Sequence, residues 1–84
     1  MKKRIGIVKL SREGVTLEYY LLGSRKAGYG LEVVEKAAGK TRRECCEQIT
    51  RNRRKLRALG TAVVRGAVFP GFLAEIVSEW DGRN

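Results

Sequence analysis

The segment from Val15 to Leu22 places its side chains in strict two-residue alternation. One side of an extended chain would carry Val15, Leu17, Tyr19 and Leu21, and the other Thr16, Glu18, Tyr20 and Leu22. A period of two is typical of a β-strand that buries one face. The chain is therefore predicted to build a sheet with one packed face and one face open to a partner.

Shorter segments of similar pattern flank this strand. Arg4–Leu10 precedes it across a turn at Gly14, a residue suited to positive φ, and Tyr29–Lys36 follows it. The stretch Thr41–Ile49 fits either a fourth strand or the beginning of a helix, and we favour the strand. The prediction is an antiparallel meander of three or four strands over residues 4–49.

Two amphipathic helices are predicted after the sheet. The first covers about 51–65, with Thr50 as its N-cap and Gly66 at C′, and its buried stripe would consist of Leu56, Leu59 and Val63. The second covers about 70–80, with Pro70 near its first position. Its apolar stripe, expected to dock on the sheet, comprises Phe72, Leu73, Ile76, Val77 and Trp80.

These elements predict an α+β fold, an antiparallel meander followed by two helices packed on one face. The 84 residues suffice for a single domain, residues 1–84, that ends in a short tail over 81–84. A domain of this size buries only about 60–65% of its unfolded surface. It therefore has one thin core and little room for a deep substrate cleft.

Positive charge is concentrated in one part of the chain. Of the net charge of +9, residues 40–57 contribute +6, from eight Lys/Arg and two Glu. The candidate residues for binding a partner or phosphates are Arg42, Arg43, Arg51, Arg53, Arg54, Lys55 and Arg57, with Tyr20 as an exposed aromatic on the open sheet face. Arginine binds carboxylates and phosphates bidentately. The alternative interpretation is a solvated helix face that only keeps the protein soluble.

Catalysis is not expected, and no cofactor is predicted. The chain has no histidine, so Cys45 and Cys46 lack the base that a nucleophile needs, although a neighbouring arginine could lower the pKa of a thiol. Two cysteines supply at most two of the four ligands of a zinc site. A metal would require a dimer that pools both pairs, or help from Glu44 or Glu47, and we predict none.

The expected location is the cytoplasm. No apolar run approaches the ~20 residues of a membrane span, and the basic start, Met1–Arg4, is not followed by a signal-peptide pattern. The adjacent cysteines, Cys45 and Cys46, form no disulfide framework, which fits a reducing compartment. We expect no membrane partner, and a monomer or a small homo-oligomer.

Several segments resemble a family of short, uncharacterised proteins from Firmicutes bacteria. They are Tyr19–Leu22, Tyr29–Val33, Ile49–Thr50, and Val68–Pro70 with Leu73 and Ile76–Val77. That family typically has a tyrosine-rich strand, a YG[IL]E strand and a closing V-x-P-x-x-L helix. The chain departs from the pattern at Phe69, where a small polar residue is usual, and in its arginine-rich first helix, where acids are common. The resemblance implies a fold, and the departures suggest a partner particular to this member.

Two functions are compatible with these observations. The first is a small non-catalytic regulator that docks on an acidic protein surface, such as an inhibitor of nucleic-acid-processing machinery in the manner of phage anti-CRISPR proteins. The second is direct, sequence-tolerant nucleic-acid binding through the arginine-rich helix, which salt would weaken. We favour the protein partner.

Overall fold

The computed structural model describes residues 1–80, so the predicted tail over 81–84 lies outside them. The elements in chain order are β1 (Lys2–Leu10), β2 (Val15–Ser24), β3 (Gly28–Ala37), β4 (Lys40–Thr50), α1 (Arg53–Arg65) and α2 (Leu73–Glu79). The four strands are antiparallel and lie in the order β1-β2-β3-β4. This is the predicted α+β meander followed by two helices, and the ambiguous stretch Thr41–Ile49 is a strand.

The inner face of the sheet and the two helices enclose one core. Leu17 and Val33 are fully buried at its centre, on the two middle strands. The core is completed by Tyr19, Leu21, Tyr29, Leu31, Ile49, Leu56, Leu59, Val63, Leu73 and Val77. The predicted stripe of α1 is therefore correct. The other face of the sheet bears Glu18, Tyr20 and Glu32, as the alternation predicts, and no helix covers it.

Helix α1 begins and ends differently from the prediction. Its N-cap is Asn52, whose side chain accepts a hydrogen bond from the Lys55 N–H. Thr50, two residues earlier, forms a separate turn in which its hydroxyl accepts a hydrogen bond from the Asn52 N–H. At the other end Gly66 is the C-cap in right-handed geometry, and Ala67 has the positive φ of 49° expected of a C′ residue. The predicted N-cap, Thr50, was therefore two positions too early. The predicted C′ residue, Gly66, was one position too early.

Helix α1 approaches β1 closely because both elements have a glycine at the contact. A Cβ on Gly60 would lie 2.6 Å from Ile5 Cδ1, and a Cβ on Gly6 would lie 2.7 Å from Val64 Cγ2. Neither position has room for a larger side chain unless its neighbour moves. The two glycines thus hold the α1 axis near the sheet, which fixes the direction of the solvent face of the helix.

Helix α2 is shorter than predicted and is capped from the sheet. It starts at Leu73, so Pro70 belongs to the preceding turn and not to the helix. Its N-cap, Phe72, offers no side-chain cap and is 59% exposed, which contradicts its predicted place in the apolar stripe.

Instead, Glu44 of β4 accepts hydrogen bonds from three backbone N–H groups at the beginning of α2. Oε1 accepts from Gly71 and Leu73 at 2.8 Å each, and Oε2 accepts from Ala74 at 3.0 Å. Burial raises the pKa of Glu44, but the three N–H donors outweigh burial and hold the pKa below its ordinary value of 4.5. One carboxylate therefore fastens α2 to the sheet.

No helix within residues 1–80 has the length and apolar character needed to cross a membrane.

Candidate functional site

The solvent side of α1 carries three arginines separated by small residues. Arg54, Ala58, Thr61 and Arg65 recur at intervals of three or four positions, so they form one stripe along the helix. Arg57 lies beside this stripe, and all five residues are exposed. From Arg54 to Arg65 the helix rises by about 16 Å. We call Arg54, Arg57 and Arg65 the arginine face.

The charge of the arginine face is not compensated by any of residues 1–80. No Asp or Glu occurs from Gln48 to Ala74, and none of the three arginines forms an ion pair with residues 1–80. The first turn of α1 has no acid either. Since no described acidic residue pairs with these arginines, the surface is able to attract anionic groups from outside the molecule.

The other basic residues predicted on this segment occupy different positions. Arg51 precedes α1, although the sequence pattern placed it at the beginning of the helix predicted over about 51–65. Arg53 is the first helical residue, and Lys55 is exposed on the first turn. The candidates therefore divide between the arginine face and the junction that leads into α1.

Arg42 and Arg43 do not belong to this site. Successive residues of β4 point to opposite faces of the sheet, and each arginine contacts a glutamate of β3. Arg42 Nη1 lies 3.6 Å from Glu35 Oε1, and Arg43 Nη1 lies 3.8 Å from Glu32 Oε2. Both residues thus have an acidic partner, in contrast to the helical arginines with which they were grouped.

The open face of the sheet compensates its own charges. Glu32 lies at the centre of this face and is 8% exposed. Lys2 Nζ is 2.9 Å from Glu32 Oε1, although that contact lacks hydrogen-bond geometry. The Tyr20 hydroxyl donates to Glu18 at 2.7 Å, and Lys36 Nζ lies 3.3 Å from the same carboxylate. The Tyr20 bond holds the pKa of Glu18 below its ordinary value and raises the pKa of Tyr20.

Tyr20 is therefore a poor platform for stacking a base. Lys2 Nζ lies 4.6 Å from the centroid of its ring, and the hydroxyl is engaged by Glu18. A base would have to displace this lysine before it reached the ring. The structure places Tyr20 on the open face, as predicted. Its contacts there belong to the charge network of the sheet and not to the arginine face of α1.

Cys45 and Cys46 lie on opposite faces of β4. Cys45 pairs with Glu32 of the open face, and Cys46 pairs with Leu31 of the core face. The two thiols of one chain are thus not directed at a common metal, and residues 1–80 contain no group of three potential metal-binding side chains.

The arginine neighbours do not lower the pKa of either thiol. Burial, followed by the Glu47 and Glu32 carboxylates, raises the pKa of Cys45. Burial, followed by Glu44 and Cys45, raises the pKa of Cys46. Both groups are therefore less nucleophilic than an ordinary cysteine at neutral pH.

The structure adds a feature that the sequence prediction missed. An open depression at the beginning of α1 is lined by Arg25, Tyr29, Arg51, Asn52 and Arg53. We call it the junction depression. Arg25 comes from the β2–β3 turn and is distant in sequence from the other arginines, so no local charge pattern identifies it.

Comparison with known proteins gives one family and no characterised relative. No curated protein and no solved structure matches the chain significantly. The sequence model of the family of unknown function DUF6514 matches residues 1–82, so the chain belongs to that family.

Proposed function

We propose that this chain is a non-catalytic regulatory protein that docks on an acidic protein surface through the arginine face of α1. The observation that carries the proposal is the uncompensated charge of Arg54, Arg57 and Arg65 on a rigid helix. Guanidinium groups form bidentate pairs with carboxylates, and arginine is enriched at protein interfaces. The small residues Ala58 and Thr61 between them allow a partner surface to come close.

The open sheet face supports a protein partner over a nucleic acid. Its aromatic residue, Tyr20, is engaged by Glu18 and covered by Lys2, so it provides no free surface for stacking bases. Direct nucleic-acid binding would therefore lack base stacking on the sheet and would rest mainly on contacts of the α1 arginines with phosphates, which decrease steeply with salt.

The proposal has a narrower form, supported by size and charge. In it the partner itself handles nucleic acid and the chain inhibits it in the cytoplasm, where the free thiols of Cys45 and Cys46 stay reduced. We further propose that the tyrosine-rich strand, the YG[IL]E strand and the V-x-P-x-x-L segment are the framework common to Firmicutes members of the family. The arginine face would then be the element particular to this member.

The test is purification of complexes from extract of the source cell with the tagged full-length protein. The bait is used as wild type, as Arg54→Glu/Arg57→Glu, and as the control Arg12→Glu. Arg12 lies in the exposed β1–β2 turn, so the control reverses charge away from α1. Each bait is also treated with nuclease, and circular dichroism checks that each variant is folded.

The proposal requires a stoichiometric protein complex that survives nuclease, is retained by Arg12→Glu, and is weakened at least tenfold by the double variant. In parallel, anisotropy with labelled single-stranded DNA, duplex DNA and RNA measures direct binding. Sub-micromolar binding of any of these at physiological salt, together with loss of the protein complex after nuclease, would overturn the proposal in favour of nucleic-acid binding.

A further inference from the structure

The meander brings the β2–β3 turn to the point where the chain leaves the sheet for α1. Gly23 pairs with Tyr29, and Tyr29 pairs in turn with Thr50, the last residue of β4. The turn that carries Arg25 therefore lies at the same end of the sheet as Arg51. Antiparallel register, and not sequence proximity, assembles the junction depression.

Three arginine residues line this depression. Arg25, Arg51 and Arg53 line a volume of about 480 Å³, together with Asn52 and Tyr29. None of the three arginines forms an ion pair with another described residue of the chain. Three positively charged residues from two segments thus line one opening, and no carboxylate is part of its lining.

The beginning of α1 adds backbone donors on the same side. This helix has 13 residues, and Asn52 Oδ1 accepts only the Lys55 N–H, at 3.1 Å. The N–H groups of Arg53 and Arg54 have no acceptor within the helix, as in the first turn of any α-helix. Backbone N–H groups and the positive end of the helix dipole favour an anion at this position.

Tyr29 gives an independent indication of a ligand. It is 8% exposed, its ring packs in the core, and it is the buried member of the depression lining. Its hydroxyl makes no hydrogen bond to any of residues 1–80, in contrast to Tyr19 and Tyr20, whose hydroxyls each have an acceptor. The ring is buried, but the hydroxyl itself reaches the solvent of the depression, so it is able to donate to a ligand there. An anionic oxygen in the depression would accept this hydrogen bond.

The charge balance favours a dianion over a carboxylate. A phosphate monoester carries about −1.5 to −2 charges at pH 7 and three acceptor oxygens, so it can pair with several guanidinium groups at once. A carboxylate brings only a single negative charge. We propose that the junction depression binds a phosphate monoester, presented by a phosphorylated side chain of the protein partner. This inference rests on the proposed function, in which the neighbouring arginine face docks on that protein.

The test is an NMR titration of the full-length ¹⁵N-labelled protein. The probes are inorganic phosphate, a phosphoserine peptide with acidic flanks, the same peptide unphosphorylated, and a 5′-phosphorylated oligonucleotide. The expected result is saturable shifts of the Arg53 and Arg54 amides and of the Arg25 side-chain Nε–H. The phosphopeptide should bind at least tenfold more tightly than its unphosphorylated form.

Three variants identify the residues responsible. Arg25→Gln should weaken phosphopeptide binding by roughly tenfold or more, since a charge-assisted hydrogen bond is lost. Tyr29→Phe retains the ring and should weaken it by roughly fivefold, because a single neutral donor is removed. Arg12→Gln removes the same charge elsewhere on the surface and should leave the affinity unchanged.

Equal weakening by Arg12→Gln, or equal affinity for the two peptides, would overturn the inference by showing that only general charge is sensed. Preference for the oligonucleotide over the phosphopeptide would overturn the assigned partner class. The two proposals fail separately. A nuclease-resistant complex that depends on Arg54 and Arg57, without a phosphate effect, retains the docking function and removes the phosphate site. Phosphopeptide binding through Arg25 without any such complex retains the phosphate site and removes the docking function.

Discussion

Replacing Glu44 by Gln removes the charge that caps α2 from the sheet. The carboxylate accepts three backbone N–H groups at 2.8–3.0 Å, whereas the amide has one oxygen and a donor group in place of the second. Hydrogen bonds to a charged group contribute about 1.5–3 kcal/mol each, and neutral ones about 0.5–1.5 kcal/mol. Because Glu44 is only half-buried, solvent screening reduces this difference, and we expect a loss of about 2 kcal/mol.

A loss of this size is large for the domain. A chain of 84 residues has a free energy of unfolding of about 4–12 kcal/mol in total. Each kcal/mol corresponds to roughly 4–8 °C in Tm for a domain of this length, so Glu44→Gln should lower Tm by roughly 8–16 °C. Urea denaturation monitored by circular dichroism measures the loss, and Glu47→Gln is the matched control. Glu47 is on the same strand, exposed, and makes no hydrogen bond or ion pair with residues 1–80.

The loss should also depend on pH in a defined direction. The pKa of Glu44 is lower in the folded protein than its ordinary value of 4.5, so the carboxylate contributes stability above that value and loses it as pH falls through the folded pKa. The difference between wild type and Glu44→Gln should be full at neutral pH and should shrink in acid. A Glu44→Gln protein as stable as Glu47→Gln at pH 7 would refute the capping argument.

Two further substitutions test the packing. Gly6→Ala places a methyl group 2.7 Å from Val64 Cγ2 and 2.9 Å from Val64 Cγ1, and because a β-branched side chain is stiff, we expect an overpacking cost of about 1–3 kcal/mol. It should destabilise wild type and have much less effect in the Val64→Ala variant, which lacks both atoms; an equal loss in the two backgrounds, measured by urea denaturation, contradicts the close approach. Tyr19→Phe removes a 2.9 Å hydrogen bond to the Val68 carbonyl and should cost about 1–2 kcal/mol. Burial raises the pKa of Tyr19 to about 12 from 10, so wild-type stability should fall as pH rises between these values, and Tyr19→Phe should reduce that fall.

The strands were predictable because their signal is local. The alternation from Val15 to Leu22 identified β2, its buried face and the open face that bears Glu18 and Tyr20. The strand interpretation of Thr41–Ile49 was also correct. That same interpretation implies that Arg42 and Arg43 point to opposite faces, so their assignment to one site was inconsistent with the predicted structure.

The helix ends were harder to predict because several residues compete for each cap. Thr50 and Asn52 are both good N-cap residues, and both side chains accept a backbone N–H in the structure, so their order is not evident from type alone. The beginning of α2 was not accessible to local reasoning. Its donors are satisfied by Glu44, which is 27 residues from Gly71 in sequence. A tertiary cap of this kind leaves no pattern around Pro70.

The arginines of the proposed docking surface were evident from the sequence in part. Local charge density identified Arg54 and Arg57, whereas Arg65, at the other end of the same stripe of α1, was overlooked. Arg25 lies in a turn that carries only one other basic residue, Lys26, and the sequence gives it no special weight. The meander itself held the missing signal, because an antiparallel sheet places the β2–β3 turn and the end of β4 at the same edge.

The order of the strands has a consequence for how copies of the protein behave at high concentration. β1 and β4 are the outer strands of the sheet, so one side of each backbone is left without a strand neighbour. Such edges join to edges of other copies unless something opposes the contact. β1 carries Lys2, Lys3, Arg4 and Lys9 without a single acid, and β4 begins with Lys40, Arg42 and Arg43. Two copies that meet edge to edge therefore repel each other, and added salt or a bound polyanion removes the barrier that keeps them apart.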